Sequence, residues 1–316
     1  MGSNLPIVSA VMSAVKPVVM NVDELEWGKV QRGRGNAVRT KQFPLDSGIP
    51  GVVLEFSYAL IPDGYFTPRH RHSFDQIRLG LDGVFCIKGI DLGPGDCGYY
   101  AEGVYYGPQQ QKGDAIILIL QFQGANGERF LSNPEINETH AQMVEEGAVF
   151  EDGVYRGKKK DGRPDNKDSF RAIWEHRLDR KLEYAKPRYR EPVMMQPERF
   201  RWMSDRSRPG IAMKHLGTFT ELRTGVAYLR MAANAMLPGG KQGNAEIRYL
   251  LDGEVTYGNR RCGKGTYFYL PCGADVEDLQ ATSEATFFII SLPMLSELAA
   301  PEQGAAETQS GHLATA

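Results

Sequence analysis

The sequence predicts a mainly β protein in which one barrel- or sandwich-type domain occurs twice, with a partly helical segment between the copies. Three observations support this prediction. Gly and Pro are abundant, with 35 and 18 of the 316 residues, which indicates many tight turns between short strands. The two halves of the chain repeat each other, and each half contains apolar runs of strand type separated by Gly-rich turns. A chain of this length also corresponds to about two domains.

The repeat is visible without gaps. The segment from Gln76 to Gly83 aligns with the segment from Glu246 to Gly253, 170 residues later, and five of the eight positions are identical. Further upstream the offset is 175 residues, where Met20 and Trp27 recur as two further matches. The coincidence of so many Gly, Pro and aromatic positions indicates a duplicated domain. At offset 170 the matched pairs include Tyr58 and Tyr228, Pro68 and Pro238, Gly95 and Gly265, and Tyr99 and Tyr269; at offset 175 they include Met20 and Met195, and Trp27 and Trp202.

Each copy is predicted to form short strands. The closing runs Ala115 to Phe122 and Ala285 to Leu292 are apolar and of strand type. An Asp-Gly pair follows the central strand of each copy, at 82–83 and 252–253, and this pair is typical of a β-hairpin turn. The expected organisation is an N-terminal arm (1–19), a first domain (20–126), an insert (127–193), a second domain (194–298) and a frayed tail (299–316).

The insert has a different composition from the repeats. It is polar and charged, and two of its stretches have helical spacing, Asn137 to Glu146 and Asp168 to Leu178. In the second stretch Phe170, Ile173 and Trp174 form an apolar stripe. Such a stripe predicts a helix face that docks onto one of the barrels.

Composition excludes several protein classes. The 37 basic and 39 acidic residues leave a net charge of −2, so no strong field attracts nucleic acid or an anionic membrane. The apolar stretch Leu5 to Met20 is too short to span a bilayer. The four cysteines form no CxxC pair, which favours free thiols in a reducing compartment and predicts a cytoplasmic protein; they are Cys86, Cys97, Cys262 and Cys272.

Two motifs in the first copy resemble those of the cupin superfamily. Gly64-x5-His70-x-His72-x3-Gln76-x6-Gly83 is similar to the first cupin motif, in which the Gln position is usually Glu. Gly95-x5-Ala101-x-Gly103-x2-Tyr106-x3-Gln110 is similar to the second, whose usual residues at the last four places are Pro, Gly, His and Asn. The resemblance implies a bicupin, with two double-stranded β-helix (jelly-roll) barrels and a ligand or metal cavity in each barrel mouth. The second copy, with Tyr267, Pro271 and Gly273, is similar to cupins of the anti-sigma-factor type.

The paired histidines are the candidate metal ligands. His70 and His72 are two residues apart, so on a strand both imidazoles point to one face. Two imidazoles on one face are suitable first ligands for Fe, Mn, Ni, Zn or Cu. The resemblance implies Gln76 and Tyr106 as the third and fourth ligands. This set contains at most one anion, and only if the Tyr106 phenol ionises, so we expect weaker metal binding than in the usual carboxylate and three-histidine site. Either Asp75 or Glu102 is an alternative anionic ligand.

Arg78 has two possible roles. It shares a strand face with Gln76 and could bind a substrate carboxylate, with Tyr106 as a general base. Alternatively, because Arg248 persists in the second copy, the residue is structural and pairs with a barrel carboxylate such as Glu246. The second copy is expected to be metal-free, since it has Gly240, Gln242, Glu246 and Val276 at the four ligand positions.

Two classes of function remain open from the sequence. In the first, a divalent metal in the first barrel acts on an oxygenated small molecule, as a dioxygenase or a metal-assisted lyase or isomerase. In the second, the chain is a non-catalytic small-molecule-binding or structural bicupin. A homo-oligomer, most simply a dimer, is expected because jelly-roll barrels expose sheet edges.

Overall fold

The computed structural model describes residues 16–30, 38–159, 161–219 and 222–293. The predicted tail (299–316) and most of the predicted N-terminal arm lie outside these residues. The first half contains a short 3-10 helix (Val22–Glu24) and nine strands: β1 (Val18–Asn21), β2 (Gly28–Val30), β3 (Val38–Phe43), β4 (Leu54–Ile61), β5 (Phe66–Thr67), β6 (Phe74–Asp82), β7 (Cys97–Tyr100), β8 (Gln109–Gln110) and β9 (Ala115–Gln123).

The insert and the second half follow. The insert contains α1 (Asn133–Glu145), β10 (Phe150–Glu151), β11 (Val154–Lys158), β12 (Pro164–Asp168) and α2 (Ser169–Leu178). The second half contains a 3-10 helix (Pro197–Arg199) and β13 (Val193–Met195), β14 (Met203–Ser204), β15 (Ile211–Phe219), β16 (Thr224–Met231), β17 (Met236–Leu237), β18 (Gly240–Lys241), β19 (Glu246–Asp252), β20 (Glu254–Tyr257), β21 (Arg260–Gly263), β22 (Thr266–Leu270), β23 (Asp275–Val276), β24 (Leu279–Ala281) and β25 (Ala285–Ser291).

Each half is built on a seven-stranded sheet, and the described residues also form four smaller sheets of two to four strands. The orders are β13-β7-β6-β9-β4-β3-β2 in the first half and β1-β22-β19-β25-β16-β15-β14 in the second. The central strands occupy equivalent places, since β6, β7 and β9 correspond to β19, β22 and β25. The predicted mainly β, duplicated jelly-roll architecture is therefore confirmed, including the helical insert.

The two halves exchange their edge strands. β1 precedes the first half but pairs with β22 of the second, with Met20 opposite Tyr267. β13 precedes the second half but pairs with β7 of the first, with Met195 opposite Cys97. The two pairings are equivalent under the sequence repeat, so each large sheet is completed by the segment that leads into the other half.

Aromatic side chains join the two large sheets in one core. Phe43 of the first half stacks on Tyr267 of the second with ring centroids 4.5 Å apart. Tyr99 stacks on Phe219 at the same separation, and burial of each such ring contributes about 1.5–3 kcal/mol. Tyr228 donates a hydrogen bond to the backbone oxygen of Gly95 over 2.7 Å. The halves therefore share apolar burial rather than packing as independent domains.

The predicted Asp-Gly hairpins do not form. The strand that follows Gly253, β20, pairs with β21 and β24 in a separate sheet, not with β19. Gly83 and Gly253 both have positive φ, +63° and +87°, and a Cβ at Gly83 would collide with the backbone oxygen of Asp114. The Asp-Gly turns therefore direct the chain from one sheet to the other, which is how a jelly roll closes.

The insert docks on the first half through the predicted stripe. Phe170, Ile173 and Trp174 of α2 are fully buried, and the Phe170 ring lies 5.4 Å from that of Phe74 on β6. The second helix prediction is correct, with Asp168 as its N-cap. The first is wrong at its start, because Ser132 caps α1 through a capping box with Glu135, one turn before the predicted start.

Two further features concern the cysteines and the membrane. All four cysteines are free thiols, as predicted. The described part of the chain contains no helix that is both long and apolar enough to cross a membrane.

Candidate functional site

The four candidate metal ligands lie together at one end of the first sheet. His70 and Tyr106 form an isolated antiparallel bridge, and each backbone N–H donates to the other's carbonyl oxygen over 3.0 Å. The ring centroids of His70 and His72 are 5.0 Å apart. The ring centroid of Tyr106 lies 4.6 Å from that of His70. Gln76 follows on β6. The sequence therefore identified a set of residues that meet in space.

The histidines do not lie on a regular strand, contrary to the prediction. His70 makes only the single bridge, and His72 precedes the start of β6. The side chain of His70 is fixed by its Nδ1, which donates to the carbonyl oxygen of Pro68 over 2.8 Å. Since that carbonyl only accepts, the hydrogen is on Nδ1 and the lone pair of the neutral ring is on Nε2. His72 packs between Phe74 and Phe170, with centroid distances of 4.5 and 5.5 Å.

Arg78 dominates the electrostatics of the site. The residue is only 5% exposed, and its Nη2 donates to Gln76 Oε1 over 2.6 Å and to the Tyr106 phenol oxygen over 2.8 Å. The guanidinium carbon lies 4.3 Å from the centroid of Tyr100 and 5.3 Å from that of Phe85. Cation–π attraction of this kind partly offsets the cost of burying the charge. No salt bridge to Arg78 occurs among the described residues.

Two donor atoms of Arg78 have no acceptor. Its Nε and Nη1 are buried without a hydrogen-bond partner in the described structure, and the same holds for Nε2 of Gln121. A cavity of about 40 Å³ with both polar and apolar walls lies beside these groups. A volume of this size holds only a few non-hydrogen atoms. Its polar lining consists of Thr40, Ser57, Tyr65, Gln76, Arg78, Gln109, Gln121 and Asn133.

The second half provides an internal comparison. Arg248, the counterpart of Arg78, donates to a carboxylate oxygen of Glu246 over 2.5 Å. In the first half the position of Glu246 is taken by Gln76, a neutral amide. The structural role proposed for this arginine therefore holds for Arg248. In the first half the same pair lacks its negative charge.

A divalent metal does not fit the four residues as they are arranged. Two of the four candidate ligand atoms, Gln76 Oε1 and the Tyr106 oxygen, already accept hydrogen bonds from a guanidinium cation. Nowhere in the described ranges do three or more His, Cys, Asp or Glu side chains form a group able to hold a metal ion. Of the four candidates, His70 and His72 are the two that do not hydrogen-bond to the guanidinium. The assignment of Gln76 and Tyr106 as ligands remains a prediction that this geometry does not support.

The alternative anionic ligands are engaged elsewhere. Asp75 and Glu102 are fully buried. Arg188, in the connector (186–192) that leads from the insert into the second half, donates to both, over 3.2 and 2.5 Å. Tyr99 and the backbone N–H of Glu102 also donate to Asp75, over 3.0 and 2.7 Å. Burial raises the pKa of Asp75 to about 6, against the lowering effects of Arg188, of the Glu102 backbone N–H and of Tyr99. We call these four residues the connector cluster.

Sequence reasoning missed two parts of this arrangement. Arg188 belongs to no motif in the sequence, although a buried acidic pair at Asp75 and Glu102 requires a nearby cation. Gln121 lies in an apolar run of strand type, where one amide has no motif to mark it. Its placement opposite Gln76 follows from the register of β6 and β9, which the sequence does not specify.

Comparisons with known proteins identify the fold. Residues 190–295 match the family model of the ChrR Cupin-like domain. A candidate dioxygenase from Nostoc punctiforme has a similar structure, with a TM-score of 0.60, 15% identity and coverage of 91% of this chain and 88% of that one. A candidate glyoxylate-induced protein from Pseudomonas aeruginosa has a TM-score of 0.51, 9% identity and coverage of 92% and 93%. No curated protein sequence matches the chain.

The family match falls on the copy that resembles cupins of the anti-sigma-factor type, and the structural matches extend over both copies. At these identities the structural similarity shows the fold and nothing about the reaction. Residues 190–295 match the ChrR Cupin-like domain, and the chain as a whole shares its two-domain fold with these two solved structures.

Proposed function

We propose that the first cupin domain binds a small oxygenated molecule that carries a carboxylate or similar anionic group, and that Arg78 holds this group. The supporting observation is the difference between the two copies. Arg248 has a carboxylate partner in Glu246, whereas Arg78 faces the amide of Gln76 and retains two donor nitrogens without acceptors. A buried cation without a counter-charge is costly, and an anionic ligand removes that cost.

The proposed chemistry is proton transfer, as in a lyase or isomerase. Tyr106 lies beside Arg78 and beside the His70 ring, so its phenol O–H is placed to donate a proton, and the phenolate that remains can take the proton back. Negative charge that develops on this oxygen is stabilised by the hydrogen bond that Arg78 already donates to it. The carboxylate of the substrate would direct the adjacent carbon toward Tyr106. These assignments give Arg78 the binding role and Tyr106 the acid–base role.

The dioxygenase alternative was left open by the sequence, and it is also the activity in the name of the Nostoc punctiforme protein. Activation of O₂ in a non-haem site requires a redox metal, typically held by two histidines and a carboxylate. In this chain the carboxylate position is Gln76, whose oxygen accepts from Arg78. The site therefore favours proton transfer over oxygenation, and measurement of oxygen consumption separates the two reactions.

Ligand binding is the direct test. We expect acetate, glycolate or pyruvate to raise the melting temperature of chelator-treated protein, and neutral acetylacetone to have no effect. Gln76→Glu should weaken carboxylate binding by at least about 10-fold, because the new carboxylate pairs with Arg78 as Glu246 does with Arg248. The control is Gln110→Glu, which adds the same charge at an exposed site on β8.

The outcomes separate the remaining interpretations. Carboxylate binding that Gln76→Glu leaves unchanged would contradict the role of Arg78. Binding without turnover of any bound acid, followed by NMR, would leave the non-catalytic bicupin as the function. Oxygen uptake with a bound acid or diketone would establish the dioxygenase alternative instead.

The cellular setting of this function is also proposed. Free thiols at all four cysteines support a reducing, cytoplasmic location. A homodimer remains the expected assembly, and light scattering of the purified chain tests it, since a monomeric mass would contradict it.

A further inference from the structure

We infer that Arg78 is a resident cation that keeps divalent metals out of the first cupin domain. Nη2 of this residue lies 2.6 Å from Gln76 Oε1 and 2.8 Å from the Tyr106 oxygen. It therefore contacts the two oxygen atoms that a four-residue metal site would use. A metal bound to these oxygens at ~2.1 Å would lie next to the guanidinium, and like charges at such separations repel strongly in a buried site.

The guanidinium is held in place from several sides. The rings of Tyr100, Phe85 and Tyr106 surround it at centroid distances of 4.3, 5.3 and 5.1 Å. An arginine side chain does not lose its proton at any ordinary pH. The packing leaves this positive charge little room to move away from Gln76 and Tyr106.

The donor set offers nothing to outweigh this charge. The imidazoles of His70 and His72 are neutral when they bind a metal, and the amide of Gln76 is neutral as well. The carboxylates of Asp75 and Glu102 are paired with Arg188 in the connector cluster. A dication at this position would therefore meet the guanidinium with only neutral candidate ligands beside it. The exclusion would hold whether or not a carboxylate ligand binds.

Cobalt binding to full-length variants tests the inference. Chelator-treated protein is titrated with Co²⁺, followed by visible absorption and by elemental analysis after dialysis. We expect no stoichiometric Co²⁺ in the wild type or in Arg78→Lys, which keeps the charge. The double variant Arg78→Met/Gln76→Glu should bind one Co²⁺ at least about 100-fold more tightly than the wild type, since it removes the like charge and adds a carboxylate. His70→Ala in that background should abolish the binding.

Two results would overturn the inference. One is stoichiometric Co²⁺ in the wild type that His70→Ala removes. The other is a folded double variant, judged by circular dichroism and a cooperative melt, that still fails to bind the metal. If the double variant does not fold, the single variant Arg78→Met is used in its place. The inference then requires that Arg78→Met binds Co²⁺ more tightly than Arg78→Lys. Carboxylate binding is measured on the same wild-type preparation, so failure of the ligand proposal is seen independently of metal exclusion.

Discussion

The connector cluster makes the stability of the protein depend on pH in a defined direction. Asp75 is buried, and its pKa is raised from the ordinary 3.8 to about 6. The folded state therefore binds this proton more tightly than the unfolded state does. As pH rises from about 4 to 6, the folded protein must ionise a buried acid, so its free energy of unfolding decreases, and above about pH 7 the effect is constant.

The size of this effect follows from the shift. A displacement of about two pKa units corresponds to about 3 kcal/mol, since one unit is worth 1.36 kcal/mol. Asp75→Asn removes the titrating group. Between pH 4 and 7.5 the wild type should lose about 2–3 kcal/mol relative to this variant, measured by urea unfolding followed by circular dichroism. Other acids cancel in the difference between the two proteins.

A matched control uses an exposed acid. Asp275 pairs with Lys241 on the surface, so Asp275→Asn should follow the wild-type pH profile closely. Parallel profiles for Asp75→Asn and the wild type would show that the carboxylate is equally stable as an ion in both states. An increasing gap in the opposite direction would mean that Arg188 outweighs burial at this site. Either result would refute the reasoning.

Three further predictions concern packing and reactivity. Phe170→Ala should lower the free energy of unfolding by about 3–5 kcal/mol, measured by urea unfolding, since its ring is buried between α2 and the first sheet; a loss below 1 kcal/mol would contradict the docking role. Gly103→Ala should cost about 2–3 kcal/mol in the same assay, because φ is +76° and a Cβ would collide with the Ala185 oxygen; an unchanged denaturation midpoint would contradict this. In native protein a thiol reagent should label exposed Cys272 but not Cys97, whose burial raises its pKa, as mass spectrometry of digested protein would check.

The repeat made much of the fold predictable. Alignment of Gln76 with Glu246 placed the central strands of both sheets correctly, because the same pattern of inward and outward residues was read twice. It also showed that Gln76 stands where the second copy has the carboxylate of Glu246. The helix around Phe170 was predicted for the same kind of reason, since its stripe is a local, periodic feature.

Features that depend on distant pairing were not predictable. Nothing in the local pattern around Met20 shows that its strand joins the sheet of the other half, because any apolar edge strand fits either sheet. The histidines were grouped with Tyr106 and Gln76, which lie near them, but the hydrogen bonds of Arg78 to Tyr106 and Gln76 depend on side-chain conformations that the sequence does not specify. The link from Arg188 to Asp75 spans more than a hundred residues of sequence, so only the fold reveals it.

The exchange of β1 and β13 gives the molecule the topology of a dimer enclosed in a single polypeptide. A strand that leaves its own half to complete a neighbour is the arrangement by which identical chains swap segments. Joining two such chains end to end would produce this protein, with the insert as the bridge. Neither half could then be excised cleanly, since each would take away an edge of the other. Co-expressed halves should reassemble into one complex through these two strands, while each half alone would expose an unpaired sheet edge.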